Sequence, residues 1–171
     1  MHTATIRSLL RCCVGRAATV PVVAIALAGL LAGCGGALTK RDFSARADAI
    51  CATTLRQIRA VPPPSFSGGS AQRLSSMAGY LSRVEPLVKS EAAQIRHLPR
   101  PGGSDRQRQA LARYLSALTL AADEYGAMAV ASRRHAANAV AEAETALAAN
   151  PLTSLAAGYG LGSCTGAGPT V

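Results

Sequence analysis

The chain has 171 residues, a formal net charge of +9 from 18 Lys and Arg against 9 Asp and Glu, and no Trp. Its apolar content of 49% excludes a solvated, disordered chain. The basic excess is carried almost wholly by Arg, with Lys only at Lys40 and Lys89.

The first element is a leader. Arg7, Arg11 and Arg16 precede residues 17–31, which are apolar apart from Thr19. This run falls short of the roughly 20 residues that span a bilayer, and Pro21 and Gly29 interrupt it. It therefore reads as the core of a signal peptide rather than an uncleaved anchor helix. Leu31-Ala32-Gly33-Cys34 follows and matches the bacterial lipobox. Small side chains at 32 and 33 admit an extended backbone to a peptidase groove. The Cys34 thiol accepts a diacylglyceryl group, and cleavage frees its amino group for a further acyl chain such as palmitate. At about 0.8 kcal/mol per buried CH₂, two or more chains anchor stably where one does not. The expectation is a signal peptide at 1–33, a lipidated tether at 34–39, a helical domain at 40–164 and a flexible tail at 165–171. The mature chain then sits on the extracytoplasmic face of the cell membrane with its lipid at Cys34. Loss of Arg7, Arg11 and Arg16, with no acid in the leader, brings the net charge from +9 to about +6.

Cysteine usage agrees with export. Of five cysteines, Cys12 and Cys13 leave with the leader and Cys34 carries lipid. Cys51 and Cys164 remain, a single pair in an oxidising compartment, and are expected to form a disulfide. The alternative is two unpaired thiols.

Four helices and a short fifth follow in order. Residues 41–60 place Phe43, Ala47, Ile50, Cys51, Thr54 and Ile58 at helical spacing, with Thr39 or Asp42 as the cap and the three prolines at 62–64 as the stop. Residues 70–97 repeat the pattern through Leu74, Met77, Leu81, Val84, Val88 and Ile95. The phase holds across Pro86, which predicts a kinked helix rather than two helices. Pro99-Arg100-Pro101-Gly102-Gly103 breaks the chain. Ser104 caps a third helix, whose stripe is Leu111, Tyr114, Leu115, Leu118, Ala122, Tyr125, Met128 and Ala129 and which ends near Arg134 without a strong turn signal. A fourth helix covers 136–149, and Asn150-Pro151 opens a short final one that delivers Cys164. The fold class is all-α: an antiparallel four-helix bundle with a kinked second helix and a short C-terminal helix, stapled by one disulfide.

The mature part resembles small helical lipoproteins of uncertain function from actinobacteria and their relatives. Asp42-Phe43-Ser44, Ala47-Asp48-Ala49-Ile50-Cys51, Leu98-Pro99-Arg100-Pro101, Asn150-Pro151-Leu152, Tyr159-Gly160-Leu161 and Cys164 carry the resemblance. It implies a helical fold and a paired cysteine, and brings no activity and no catalytic residues.

The inventory for catalysis is thin, so the expectation is a non-enzymatic interaction or structural module without cofactor or metal. His97 and His135 lie far apart in sequence, which argues against a metal site. Glu85 and Glu91, like Glu142 and Glu144, are poorly spaced for joint acid–base work. Glu91 alone falls near the inward stripe of its helix, where pairing with an Arg is the plain expectation. Arg96, Arg100, Arg106 and Arg108, with His97 and Arg113, surround the second turn. They are either ordinary solvated charge or a contact for anionic lipid or an acidic envelope polymer. A protein partner is also open; nucleic acid is not expected for an exported chain. The competing reading is a carrier of a small apolar or lipidic ligand in a cavity lined by Leu81, Val88 and Leu118.

Overall fold

The structure, a computed structural model, describes residues 38–165. The leader, Cys34 and residues 166–171 lie outside the described residues. Five α-helices follow in order: α1 Lys40–Arg59, α2 Ser70–His97, α3 Asp105–Arg133, α4 Ala137–Ala149 and α5 Leu152–Tyr159, then a 3₁₀ turn at Ser163–Thr165. That turn includes Thr165, which the division at 165–171 assigns to the tail.

Each boundary has a local cause. The Thr39 hydroxyl accepts from the Asp42 amide at 3.1 Å and donates to Asp42 Oδ2 at 2.6 Å, closing the start of α1. At α3, Ser104 and Gln107 form a capping box: Ser104 accepts from the Gln107 amide and Gln107 accepts from the Ser104 amide. α2 continues as one helix through Pro86, although proline has no N–H to donate to the Ser82 carbonyl. The weakly signalled turn after α3 is a left-handed cap built on a non-glycine residue. His135 has φ 55°, and the Ala136 amide donates back to the Ala131 carbonyl at 3.0 Å.

α3, about 43 Å long at 1.5 Å per residue, packs against α2, α4 and α5, while α1 lies against α2 and the 3₁₀ turn. The helices alternate in direction, and α4 and α5 together form the fourth wall. Asn150 fixes their junction: its side chain donates to the Ala117 carbonyl of α3 at 3.0 Å and accepts from the Leu152 amide at 2.9 Å. The bundle is thus antiparallel, with a wall made of two short helices.

The core has two halves. One gathers Phe43, Ala47, Cys51, Ile95, Leu111, Tyr114, Leu115, Leu118, Tyr159 and Leu161 at the end where α1 begins. The other gathers Ile58, Met77, Tyr80, Leu81, Val84, Tyr125 and Met128 at the opposite end. The inward residues expected of α3 are all buried, and those of α1 are buried except for half-buried Ile50.

The chain's last turns close the first half. Gly160 takes φ 91°, a conformation that suits glycine, and the Leu161 amide donates to the Ala156 carbonyl at 2.9 Å. This drops Leu161 into the core and turns the chain towards α1. There the Ser163 amide donates to Asp48 Oδ1 at 2.8 Å. Cys164 bonds to Cys51 with a Cα–Cα distance of 5.1 Å.

Candidate functional site

Two places combine unusual chemistry with a defined geometry. The first is the α2–α3 turn. Leu38, just ahead of α1, pairs with Pro101 in an isolated parallel bridge, and the Gly102 amide donates to the Leu38 carbonyl at 3.0 Å. Within the stretch that the division at 34–39 gives to the tether, Leu38 is therefore docked on the turn and Thr39 caps α1. Leu38 is only four positions along the chain from Cys34, at most about 14 Å of extended chain.

Arg96, Arg100, Arg106 and Arg113 are all exposed around this turn, and none is ion-paired with a carboxylate among the described residues. Arg108 differs. Its guanidinium donates to the Gly103 carbonyl and to Asp105, so its charge is partly committed to the loop. His97 is exposed in the last turn of α2. Among the described residues, no three His, Cys, Asp or Glu side chains gather as they would around a metal ion.

The second place is a partly open cavity of about 70 Å³ where the two halves of the core meet. It is lined by Cys51, Leu55, Val88, Glu91, Leu118, Tyr125 and Cys164, among others. Leu81 is absent from it, being fully buried in the other core half. The volume is about half of the roughly 150 Å³ that admits a benzene ring, so it takes a few heavy atoms and not an acyl chain.

Glu91 has no Arg partner among the described residues, which corrects the expectation from its helical position: the acid lines the cavity rather than reaching sideways to solvent. Oε1 lies 3.7 Å from Cys51 Sγ. A disulfide sulfur bears no hydrogen, so in any polar interaction the proton is on the carboxyl. Burial pushes the Glu91 acid up, and the Thr54 hydroxyl only partly offsets this. Tyr125 is pushed up to about 12, chiefly by burial and further by Tyr80 and Glu91. Tyr114 is raised for the same first reason, with Glu91 and Asp48 adding to it, and its buried hydroxyl has no hydrogen-bond partner among the described residues.

A carboxyl that is a weaker acid folded than unfolded contributes fully below its unfolded value, near 4.3, and the contribution fades as pH rises through the folded value. Glu91→Gln carries no such loss. The variant should gain stability over the wild type as pH rises from 4 towards 8, by about 1.4 kcal/mol for each tenfold by which folding weakens the acid. Urea midpoints of the two proteins across that range measure it; a gap that narrows with rising pH would show that burial does not control this acid.

Sequence reading located the basic turn and the disulfide. It missed the docking of Leu38, the anchoring of Ser163 by Asp48, and the junction of Glu91 with the disulfide. No family model, curated protein or solved structure matches the chain.

Proposed function

We propose that the chain is an exported lipoprotein, anchored through Cys34, whose helical domain lies against the outer face of the membrane and works by binding rather than catalysis. The Leu38–Gly102 hydrogen bond is the observation that most supports this reading. It ties the start of the domain to the Arg-rich turn, so an anchor at Cys34 brings Arg96, Arg100 and Arg106 close to the lipid headgroups. The antiparallel path supports it too, since α1 leaves that end and α2 returns to it. The Cys51–Cys164 bond is in keeping with an oxidising compartment.

At roughly 1 kcal/mol for each Arg near an anionic leaflet, three exposed arginines add usefully to the lipid anchor. They also set the domain's orientation, leaving the α1–α2 end pointing away for a protein or polymer partner. The test has two arms. Wild-type protein should fractionate with membranes and carry the mass of a diacylglyceryl group, whereas Cys34→Ala should be released without it. The unlipidated Cys34→Ala chain should then bind vesicles containing anionic lipid, less well as salt shortens the reach of charge. Replacing Arg96, Arg100 and Arg106 by Gln should weaken that binding about a hundredfold. Membrane retention of Cys34→Ala at unchanged mass defeats the anchor; vesicle binding indifferent to lipid charge and salt defeats the basic contact.

A further inference from the structure

We propose that the Cys51–Cys164 disulfide is an exchange site for small thiols, with the Glu91 carboxyl as proton donor to the departing Cys51 sulfur. The inference goes beyond the anchored reading and does not depend on it. Three observations converge. Both sulfurs line the cavity, whose partly exposed wall residues include Leu55, Leu152 and Ser163. The two cysteines differ in access: Cys51 is 3% exposed, while Cys164 is half-buried on the 3₁₀ turn. Glu91 Oε1 stands 3.7 Å from the inner sulfur.

This asymmetry assigns the roles. An incoming thiolate reaches the outer sulfur, Cys164 Sγ, and forms a new S–S bond to it. The Cys51–Cys164 bond breaks, and its electron pair stays on Cys51 Sγ. A thiolate left there faces Val88 and Leu118, where an unpaired charge is costly. The proton on Glu91 passes to it, giving a neutral Cys51 thiol and a Glu91 carboxylate. A second small thiolate attacks the small-molecule sulfur of the mixed disulfide. It releases the small-molecule disulfide and a Cys164 thiolate, which takes its proton from water. Two thiols are oxidised and the protein disulfide is reduced, so electrons and protons balance. The other titratable groups near Glu91 do not compete as donors. Tyr114 and Tyr125 are phenols made weaker by burial, and Asp48 is engaged with the Ser163 amide. Reduction would release the 3₁₀ turn from α1 and widen the mouth of the cavity.

The test is reduction of the oxidised full chain by glutathione under native conditions, with Cys51 and Cys164 followed by alkylation and peptide mass. The expected rate is proportional to thiol concentration and flat across low urea, as for attack on the folded protein. Glu91→Gln should slow it at least about tenfold. This is less than a positioned acid contributes at an oxygen leaving group, because a thiolate leaves more readily. In full denaturant both proteins should be reduced at the same rate. Glu91→Asp, which keeps the acid but draws it back, should also be slowed, and it serves if the Gln variant does not fold. Equal native-state rates for wild type and the variants overturn the proposal. So does a rate that climbs with urea as global unfolding does, since the bond would then be reached only through the unfolded chain.

Discussion

A chain carrying Cys51→Ala and Cys164→Ser should unfold with a free energy roughly 4 to 5 kcal/mol below that of the oxidised wild type. The bond links residues separated by 113 positions, and the chain-entropy description gives about this value for closing so long a loop in the unfolded ensemble. Few single changes weigh as much, because a domain of this size holds only about 5 to 15 kcal/mol in total. The loss should also be local in character. Cys164 follows Leu161, which is fully buried, and the Ser163 amide depends on Asp48 for a partner. Without the bridge, residues 160–165 are held chiefly by the burial of Leu161, its amide bond to Ala156 and the Ser163 bond to Asp48. Amide exchange should therefore rise first in α5 and the 3₁₀ turn, ahead of α2 and α3. Equilibrium urea unfolding and hydrogen exchange on both proteins measure the two effects. A deficit under 1 kcal/mol would mean that the tail docks equally well without the bond, and that the native contacts rather than the cross-link close the bundle.

The helices were legible because their signals are local. Proline at 62–64, Ser104 before Asp105 and Asn150 before Pro151 act within a turn of themselves, and a period of three to four names the inward face directly. The disulfide was legible for a different reason: on the lipoprotein reading of the leader, Cys51 and Cys164 are the pair that remains. The turn at 134–136 was not. His135 occupies a left-handed position where glycine is the usual mark, so the strongest stop signal was absent. Leu38 and Phe43 do hold the spacing of a hydrophobic staple, one residue before the cap and four after it, but nothing local says that Leu38 will meet Pro101. The Glu91 site was illegible for a related reason. Its parts come from α1, α2, α3 and the final turn, and only the packed bundle brings a carboxyl 40 residues away in sequence against Cys51.

Phe43→Ala should cost about 3 to 5 kcal/mol, the range for truncating a buried aromatic in a close-packed core. Phe43 is fully buried in the half of the core where the chain enters. Its ring meets Tyr159 edge to face, with centroids 6.0 Å apart and planes at 85°, an arrangement worth about 0.5 to 1.5 kcal/mol beyond burial. Lys40 lies over the same Tyr159 ring, 4.9 Å from its centroid. One side chain thus joins the first turn of α1 to the last turn of α5, in a core shared with Ile95 near the end of α2 and Leu111 near the start of α3. Little else of comparable size can fill the space, because many inward positions on α3 are alanine. Phe43→Leu, which keeps most of the volume, should cost clearly less. The pair separates packing from the capping contacts of Thr39 and Asp42, which neither substitution touches. It also bears on the basic turn. If Phe43 holds this end rigid, Phe43→Ala should loosen the Leu38–Gly102 contact and weaken binding to anionic vesicles even where the domain remains folded. Unchanged binding by a destabilised but folded Phe43→Ala protein would show that the arginines act through charge alone, without the framework beneath them.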